Sequence, residues 1–216
     1  MNAKKIVVVS AGLGTPSSSR LLADQLGEAT ARRAGVLGIE TEVAVYELRD
    51  LAVDIANHFV TGYAAPRLAA AIAAVEAADA LIAVSPVFSA SYSGLFKSFI
   101  DLLDNKSFDG KPVLLGLTGG SERHSMVLDF AMRPLFTYLR ARIVPTGVFA
   151  GPMDWGKGDD GDSAGAGSLG SRIERAAAEL AAELGAHAGA ARAPKIATRP
   201  EDKSFEELLA GLTGGR

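Results

Sequence analysis

Hydroxyl, glycine and aromatic residues gather in three short stretches, and these are where the chain can hold a ligand. The first is Ser10-Ala11-Gly12-Leu13-Gly14-Thr15-Pro16-Ser17-Ser18-Ser19. A helical pattern through Leu21, Leu22, Leu26 and Ala29 follows, so Ser17, Ser18 and Ser19 fall at a helix N-cap and first turn. A helix start offers unpaired N–H groups and the positive end of the helix dipole. Added hydroxyl donors make it a seat for a phosphate monoester. Taken alone, the same serines are explained equally well by simple capping. No Gly-Lys-Ser/Thr follows, so this is not a Walker loop, and serine at 17 breaks the Gly-x-Gly-x-x-Gly spacing begun by Gly12 and Gly14.

The second stretch is Ser85-Pro86-Val87-Phe88-Ser89-Ala90-Ser91-Tyr92-Ser93-Gly94. Pro86 fixes φ and removes a donor, so neighbouring amides can face a ligand instead of a strand. The third is Thr118-Gly119-Gly120-Ser121, where two glycines let the backbone approach a flat ligand. One such loop is usually an ordinary strand-to-helix connection. Nothing here supplies a general acid or base. His58 reads as a surface histidine, and so does His124, although its place beside the glycine loop also suits a nucleotide phosphate.

Strands and helices must bring these loops together. Ile6-Val7-Val8-Val9 is a β-branched run typical of a strand buried on both faces. Residues 39–48 alternate as a half-exposed strand, whereas 49–64 show no period and are expected to form an irregular loop. Pro66 opens an Ala-rich helix to Ala78, and residues 80–85 form the central strand. A helix over 95–104 precedes a fourth strand, Pro112 to Leu117. Another helix, about Ser125 to Arg140, should bend or divide at Pro134. Ile143 to Phe149 makes a fifth strand, with Pro145 tolerable at an edge. Residues 151–171, with seven glycines, four aspartates and Trp155, are expected to be a flexible loop, and Ile173 to Leu184 a closing helix. One domain would span 1–188, with 189–216 a tail that either frays or docks through a short helix near Phe205 to Leu212.

This alternation predicts an α/β fold, a flavodoxin-like doubly wound sheet of five parallel strands in order 2-1-3-4-5. Strands 1, 3 and 4 are then neighbours, and their C-terminal loops are the three singled out above. Together they suit a phosphate, a set of amides with aromatics, and a flat ring: a mononucleotide with a planar heterocycle, for which FMN is the natural candidate.

Composition narrows the alternatives. With 216 residues, 48% hydrophobic and 22% charged, the chain can bury a full core. A net charge of −3 with scattered basic residues leaves no footprint for nucleic acid. The absence of cysteine excludes thiol catalysis, disulfides and cysteine-based metal sites. Ile6 to Ser10 is too short an apolar run for a signal peptide, and no run approaches the roughly 18 apolar residues of a membrane span. A soluble, cytoplasmic protein is expected.

Several motifs occur in combination: Ser85-Pro86-Val87-Phe88, Tyr92-Ser93-Gly94-Leu95-Phe96-Lys97, Asp101-Leu102-Leu103, Thr118-Gly119-Gly120, Asp129-Phe130-Ala131-Met132-Arg133-Pro134 and Gly147-Val148-Phe149. Over residues 4–150 the chain resembles the NADPH-dependent FMN reductase family of flavodoxin-like proteins. Within it, the nearest resemblance is to flavin reductases serving two-component monooxygenases, including those of sulfonate assimilation. The resemblance implies hydride transfer from NADPH, or NADH, to N5 of FMN, and delivery of reduced flavin to a separate monooxygenase. It implies that Ser10, Ser17, Ser18 and Ser19 hold the phosphate. Pro86, Val87 and Phe88 would line the ring through backbone groups, with Ser93 and Gly94 nearby, and Thr118, Gly119, Gly120 and Ser121 would border its other side. A homodimer or homotetramer is implied, and Lys97 and Asp101 would be a structural or interface pair.

The chain departs from the family pattern twice. Ser10-Ala11-Gly12-Leu13-Gly14 lacks the arginine that commonly follows the first strand, which leaves NADPH and NADH both open. Phe130 stands where the sulfonate-type reductases carry a tyrosine at a tetramer interface, so FMN as prosthetic group and FMN as exchanging substrate both remain open. Two other readings compete: a quinone or azo reductase with tightly held FMN, and a flavodoxin-like electron carrier. A non-catalytic binding module would leave the three loops unexplained.

Overall fold

A computed structural model describes residues 3–155 and 167–187. The tail over 189–216, and residues 156–166 of the glycine- and aspartate-rich loop, lie outside the described residues. Strands β1 (Lys4–Ser10), β2 (Thr41–Glu47), β3 (Ala80–Phe88) and β5 (Pro112–Thr118) lie in the order β2-β1-β3-β5, all parallel. The fifth position is shared by two short strands, β6 (Arg142–Ile143) and β7 (Val148–Ala150), which both pair with β5. This is the flavodoxin-like sheet expected from the alternation of elements.

The β-branched runs work by period two. From β1, Val7 and Val9 face one core while Ile6 and Val8 face the other. From β3, Leu81 and Ala83 join the first core, and Ala80, Ile82 and Val84 the second. The first core is closed by α2 (Ala52–Thr61), α3 (Pro66–Ala77), α4 (Gly94–Ile100) and α5 (Arg133–Tyr138), through Ile55, Leu68, Val75, Phe96, Phe99 and Phe136. The second is closed by α1 (Ser18–Val36) and α6 (Leu169–His187), through Leu22, Leu26, Ala176, Leu180 and Leu184. Burial on both faces explains why the central strands read as unbroken apolar runs.

Local expectations needed correcting in five places. Residues 49–64 are not an irregular loop: a 3₁₀ turn, Leu48–Leu51, leads into α2, which ends at Gly62 with φ 71°. In α2 only Ile55 is buried, while Val53, Phe59 and Val60 are exposed. The helix expected over 125–140 is three pieces: a 3₁₀ turn Glu122–Ser125, a π turn Leu128–Met132, and α5. Pro134 is the second residue of α5 and follows the π turn directly, with Met132 and Arg133 keeping helical backbone angles at the junction.

Pro145 divides the expected fifth strand into β6 and β7. The central strand runs past residue 85 to Phe88 and turns through Ser89 and Ala90, at φ 48° and 63°, into a two-residue antiparallel strand, β4 (Ser91–Tyr92). Two successive positive φ values match the backbone of a tight hairpin turn. The helix expected over 95–104 is α4, which stops at Ile100. Among the described residues, no helix is long and apolar enough to cross a membrane, and no group of His, Asp and Glu could hold a metal ion.

Candidate functional site

Strand register brings the three loops to one rim. Ser10 pairs with Val84 across β1 and β3, and Pro86 pairs with Thr118 across β3 and β5. The first and third loops then meet directly, because the Ser19 and Thr118 hydroxyls are 2.7 Å apart and buried. Beside them opens a cleft of ≈ 270 Å³ lined by Ser18, Pro86, Thr118, Gly119, Gly120, Pro152 and Trp155.

Each loop has a distinct internal logic. In the first, Ser17 is the N-cap of α1 and accepts a hydrogen bond from the Arg20 N–H at 3.2 Å, while Ser18 is exposed. The first turn of α1 carries no acidic residue. Gly12 is buried, and a Cβ built on it would lie 2.0 Å from Ser17 Oγ, so only glycine fits. Ser10 is 1% exposed, and its hydroxyl makes no hydrogen bond within the chain. A buried, unpartnered hydroxyl costs free energy unless something else satisfies it. The loop therefore combines an orphaned donor, a helix start and a backbone held close, which fits a phosphate group.

In the second loop the hydroxyls of Ser85 and Ser93 are spent on structure. Ser85 Oγ donates to the Pro86 carbonyl and accepts from the Ser93 N–H, each at 2.9 Å. Ser93 Oγ caps α4 by accepting from the Phe96 N–H at 3.1 Å. Val87 is buried and paired with Tyr92, Phe88 is half exposed, and Gly94 is an exposed first residue of α4. Pro86 is thus the residue of this loop that lines the cleft.

The third loop is tied to β7, its Gly119 N–H donating to the Ala150 carbonyl at 3.2 Å. A Cβ on Gly119 would meet the His124 side chain at 2.7 Å, whereas Gly120 faces open space. The histidine therefore packs against the glycine loop, with its Nδ1 buried and unpartnered. Ser121 caps the following 3₁₀ turn, accepting from the Arg123 N–H at 3.3 Å.

Pro152 and Trp155 were missed, because the whole of 151–171 was expected to be flexible. Gly151 to Trp155 are ordered by a clip. Asp154 accepts from the Gly151 N–H at 2.8 Å and from Arg172 of α6 at 2.5 Å, and Arg172 also donates to the Phe149 carbonyl. Trp155 is partly buried and packs against the core under α1 and α6. The one available signal was a lone tryptophan in an otherwise polar stretch. Lys97 and Asp101 form the expected exposed i,i+4 pair at 2.7 Å. Near the first loop, Arg20 bonds Asp24, which raises its pKa, and also Glu47.

The family described as NADPH-dependent FMN reductase matches residues 4–156. The chain belongs to this family. The match takes in all the strands, the three loops, and Pro152 and Trp155. An FMN reductase (NADPH) of Pseudomonas aeruginosa is 38% identical over 151 residues, covering 70% of this chain and 78% of that protein. The NADH-dependent FMN reductase SfnF of Pseudomonas putida is 38% identical over 146 residues, covering 68% and 76%. An oxidoreductase structure from Corynebacterium diphtheriae is 41% identical, with a TM-score of 0.79 over 86% of this chain and 99% of that one. FMN reductase activity, with NAD(P)H as reductant, comes with family membership. The resemblance inferred from the motifs is thereby confirmed.

Proposed function

We propose that this FMN reductase seats the flavin phosphate at the start of α1 and the flavin ring in the adjoining cleft, and passes reduced flavin to a separate monooxygenase. The observation that carries this reading is the convergence of three loops on one cleft, two of them joined by the Ser19–Thr118 hydrogen bond. Ser10, Ser17, Ser18 and Ser19 then surround the phosphate. Pro86 borders the ring on one side, with Val87, Phe88, Ser93 and Gly94 holding that loop in place behind it, and Thr118, Gly119 and Gly120 border the other, with Ser121 behind them and Trp155 at the outer lip. The chemistry supplied by flavin bound there is hydride acceptance from a nicotinamide. The protein's part is orientation, and N–H groups near the ring that stabilise developing negative charge. No side chain need act as general acid or base.

Residues 1–188 act as one flavin-binding unit in this reading, located in the cytoplasm. Exposed Phe59, Val60, Phe130 and Tyr138 are apolar surface suited to a homodimer or homotetramer. Phe130 lies in the π turn, a backbone irregularity frequent at functional positions. NADPH and NADH are both candidate reductants. Arg20 at the start of α1 is engaged by Asp24 and Glu47, which favours no extra phosphate there.

Anaerobic titration with NADPH and with NADH, following flavin absorbance with and without added FMN, tests the proposal. Free FMN should be reduced catalytically. Consumption of a quinone instead, with tightly held flavin and no turnover of free FMN, would replace this reading by a quinone reductase. Flavin that neither nicotinamide reduces would point to an electron carrier.

A further inference from the structure

Arg49 lies in the 3₁₀ turn after β2, outside the first loop. Its Nη1 donates to the Gly14 carbonyl at 2.7 Å and to the Thr15 hydroxyl. Its Nε faces Glu47 at 3.3 Å and Asp50 at 3.6 Å. The other oxygen of Glu47 accepts from Arg20 at 2.8 Å, and Arg20 is held in turn by Asp24 at 2.8 Å. A line of alternating charge thus ties the start of α1, the end of β2 and the exposed tip of the first loop, Leu13 to Pro16, into one unit.

We propose that Arg49 is a positioning residue that sets the preference for a phosphorylated flavin, FMN, over the unphosphorylated ring system, riboflavin. This rests on the reading that the first loop seats the phosphate. Two features favour geometry over attraction. The cluster sets Arg20 and Arg49 against Asp24, Glu47 and Asp50, two positive charges against three negative, so it is no anion trap. The Gly14–Thr15 peptide is trans, so its N–H and C=O point in opposite directions. Holding the Gly14 carbonyl outward therefore directs the Thr15 N–H away from Arg49. A planar guanidinium can reach a carbonyl and a hydroxyl together with two more carboxylates, whereas a lysine ammonium is a single point donor.

Dissociation constants for FMN and riboflavin, from fluorescence quenching, test this on the wild type, Arg49→Met, Arg49→Lys and Thr15→Val. The wild type should prefer FMN by at least about tenfold, as a set of charge-assisted hydrogen bonds warrants. Arg49→Met should lose about tenfold in FMN affinity while riboflavin stays within about twofold, retained riboflavin binding also showing that the variant is folded. Arg49→Lys should recover only part of the loss. Thr15→Val, which removes one of the two oxygens held by Arg49, should shift FMN affinity in the same direction and decides the matter should Arg49→Met not fold. An unchanged FMN preference in the variants, equal loss of both flavins, or full rescue by lysine would overturn the role of Arg49 and leave the phosphate seat standing. A wild type with no preference for FMN over riboflavin would overturn the seat itself, and Arg49's role with it.

Discussion

Ser19 on α1 and Thr118 at the end of β5 share a buried hydrogen bond of 2.7 Å, although 99 residues separate them. It locks the first loop to the third. Thr118→Val keeps the volume but strands the Ser19 hydroxyl, at a cost of about 1–3 kcal/mol. Ser19→Ala with Thr118→Val should cost less than the two single changes summed, since no orphan remains. Urea unfolding of the four proteins gives the coupling energy. Simple additivity would mean that the hydroxyls do not support one another.

The two glycines of the third loop should separate stability from binding. A methyl at 119 meets the His124 side chain, including its Cβ, at 2.7 Å, while a methyl at 120 meets nothing. Gly119→Ala is therefore expected to destabilise the apoprotein by about 1–3 kcal/mol through overpacking. If the ring occupies the cleft as proposed, Gly120→Ala should unfold like the wild type yet bind FMN at least about tenfold more weakly, because its methyl projects into the cleft. Thermal melts and FMN titrations together check this. Wild-type FMN affinity in Gly120→Ala would remove that residue from the flavin site.

Central features of this fold are written locally and could be read from the chain. The β-branched run at 6–9 and the apolar runs from 80 and 112 show their burial in residue type alone, although their strand partners lie tens of residues away, and the serine ahead of the helical pattern caps a backbone N–H three residues on. What escaped detection depends on distant partners. Trp155 is placed by Asp154 gripping Arg172, 18 residues away on α6, and no local pattern signals that. The turn at Ser89 and Ala90 adopts positive φ without glycine or asparagine, so the usual hairpin signal is missing.

At the opposite end of the sheet, Asp79 should shape the acid limb of stability. Burial pushes its pKa up, but the Lys5 N–H at 2.8 Å and the Lys4 ammonium at 2.9 Å outweigh that and hold it below the ordinary value. A carboxylate depressed in the folded state stabilises fully above its unfolded pKa of about 3.9 and loses that contribution as pH falls through the lower folded value. Asp79→Asn should cost no more than about 1 kcal/mol at neutral pH, since the pair is partly exposed. The difference from wild type should shrink in acid. Melting temperatures across the acid range test this, and a gap that stays constant below pH of about 4 would show that Asp79 is not a titrating contributor.

Trp155, the single tryptophan of the chain, lines the cleft and so reports on it directly. FMN binding should quench its emission, because an indole beside a flavin ring passes on its excitation energy. Arg172 holds this lip without lining the cleft, through Asp154 and the Phe149 carbonyl. Arg172→Ala should release Gly151 to Trp155, shift the apoprotein's emission to the red and weaken FMN binding by about three- to tenfold, the loss of one charge-assisted contact with part of it recovered by water. Asp154→Ala should do the same, and joining the two changes should add little, since each breaks the same clip. Tryptophan emission spectra and FMN titrations of the three variants measure both effects. Emission at the wild-type wavelength in Arg172→Ala, with undiminished quenching by FMN, would mean that the lip holds its shape without the ion pair and that packing against the core under α1 and α6 suffices to place Trp155.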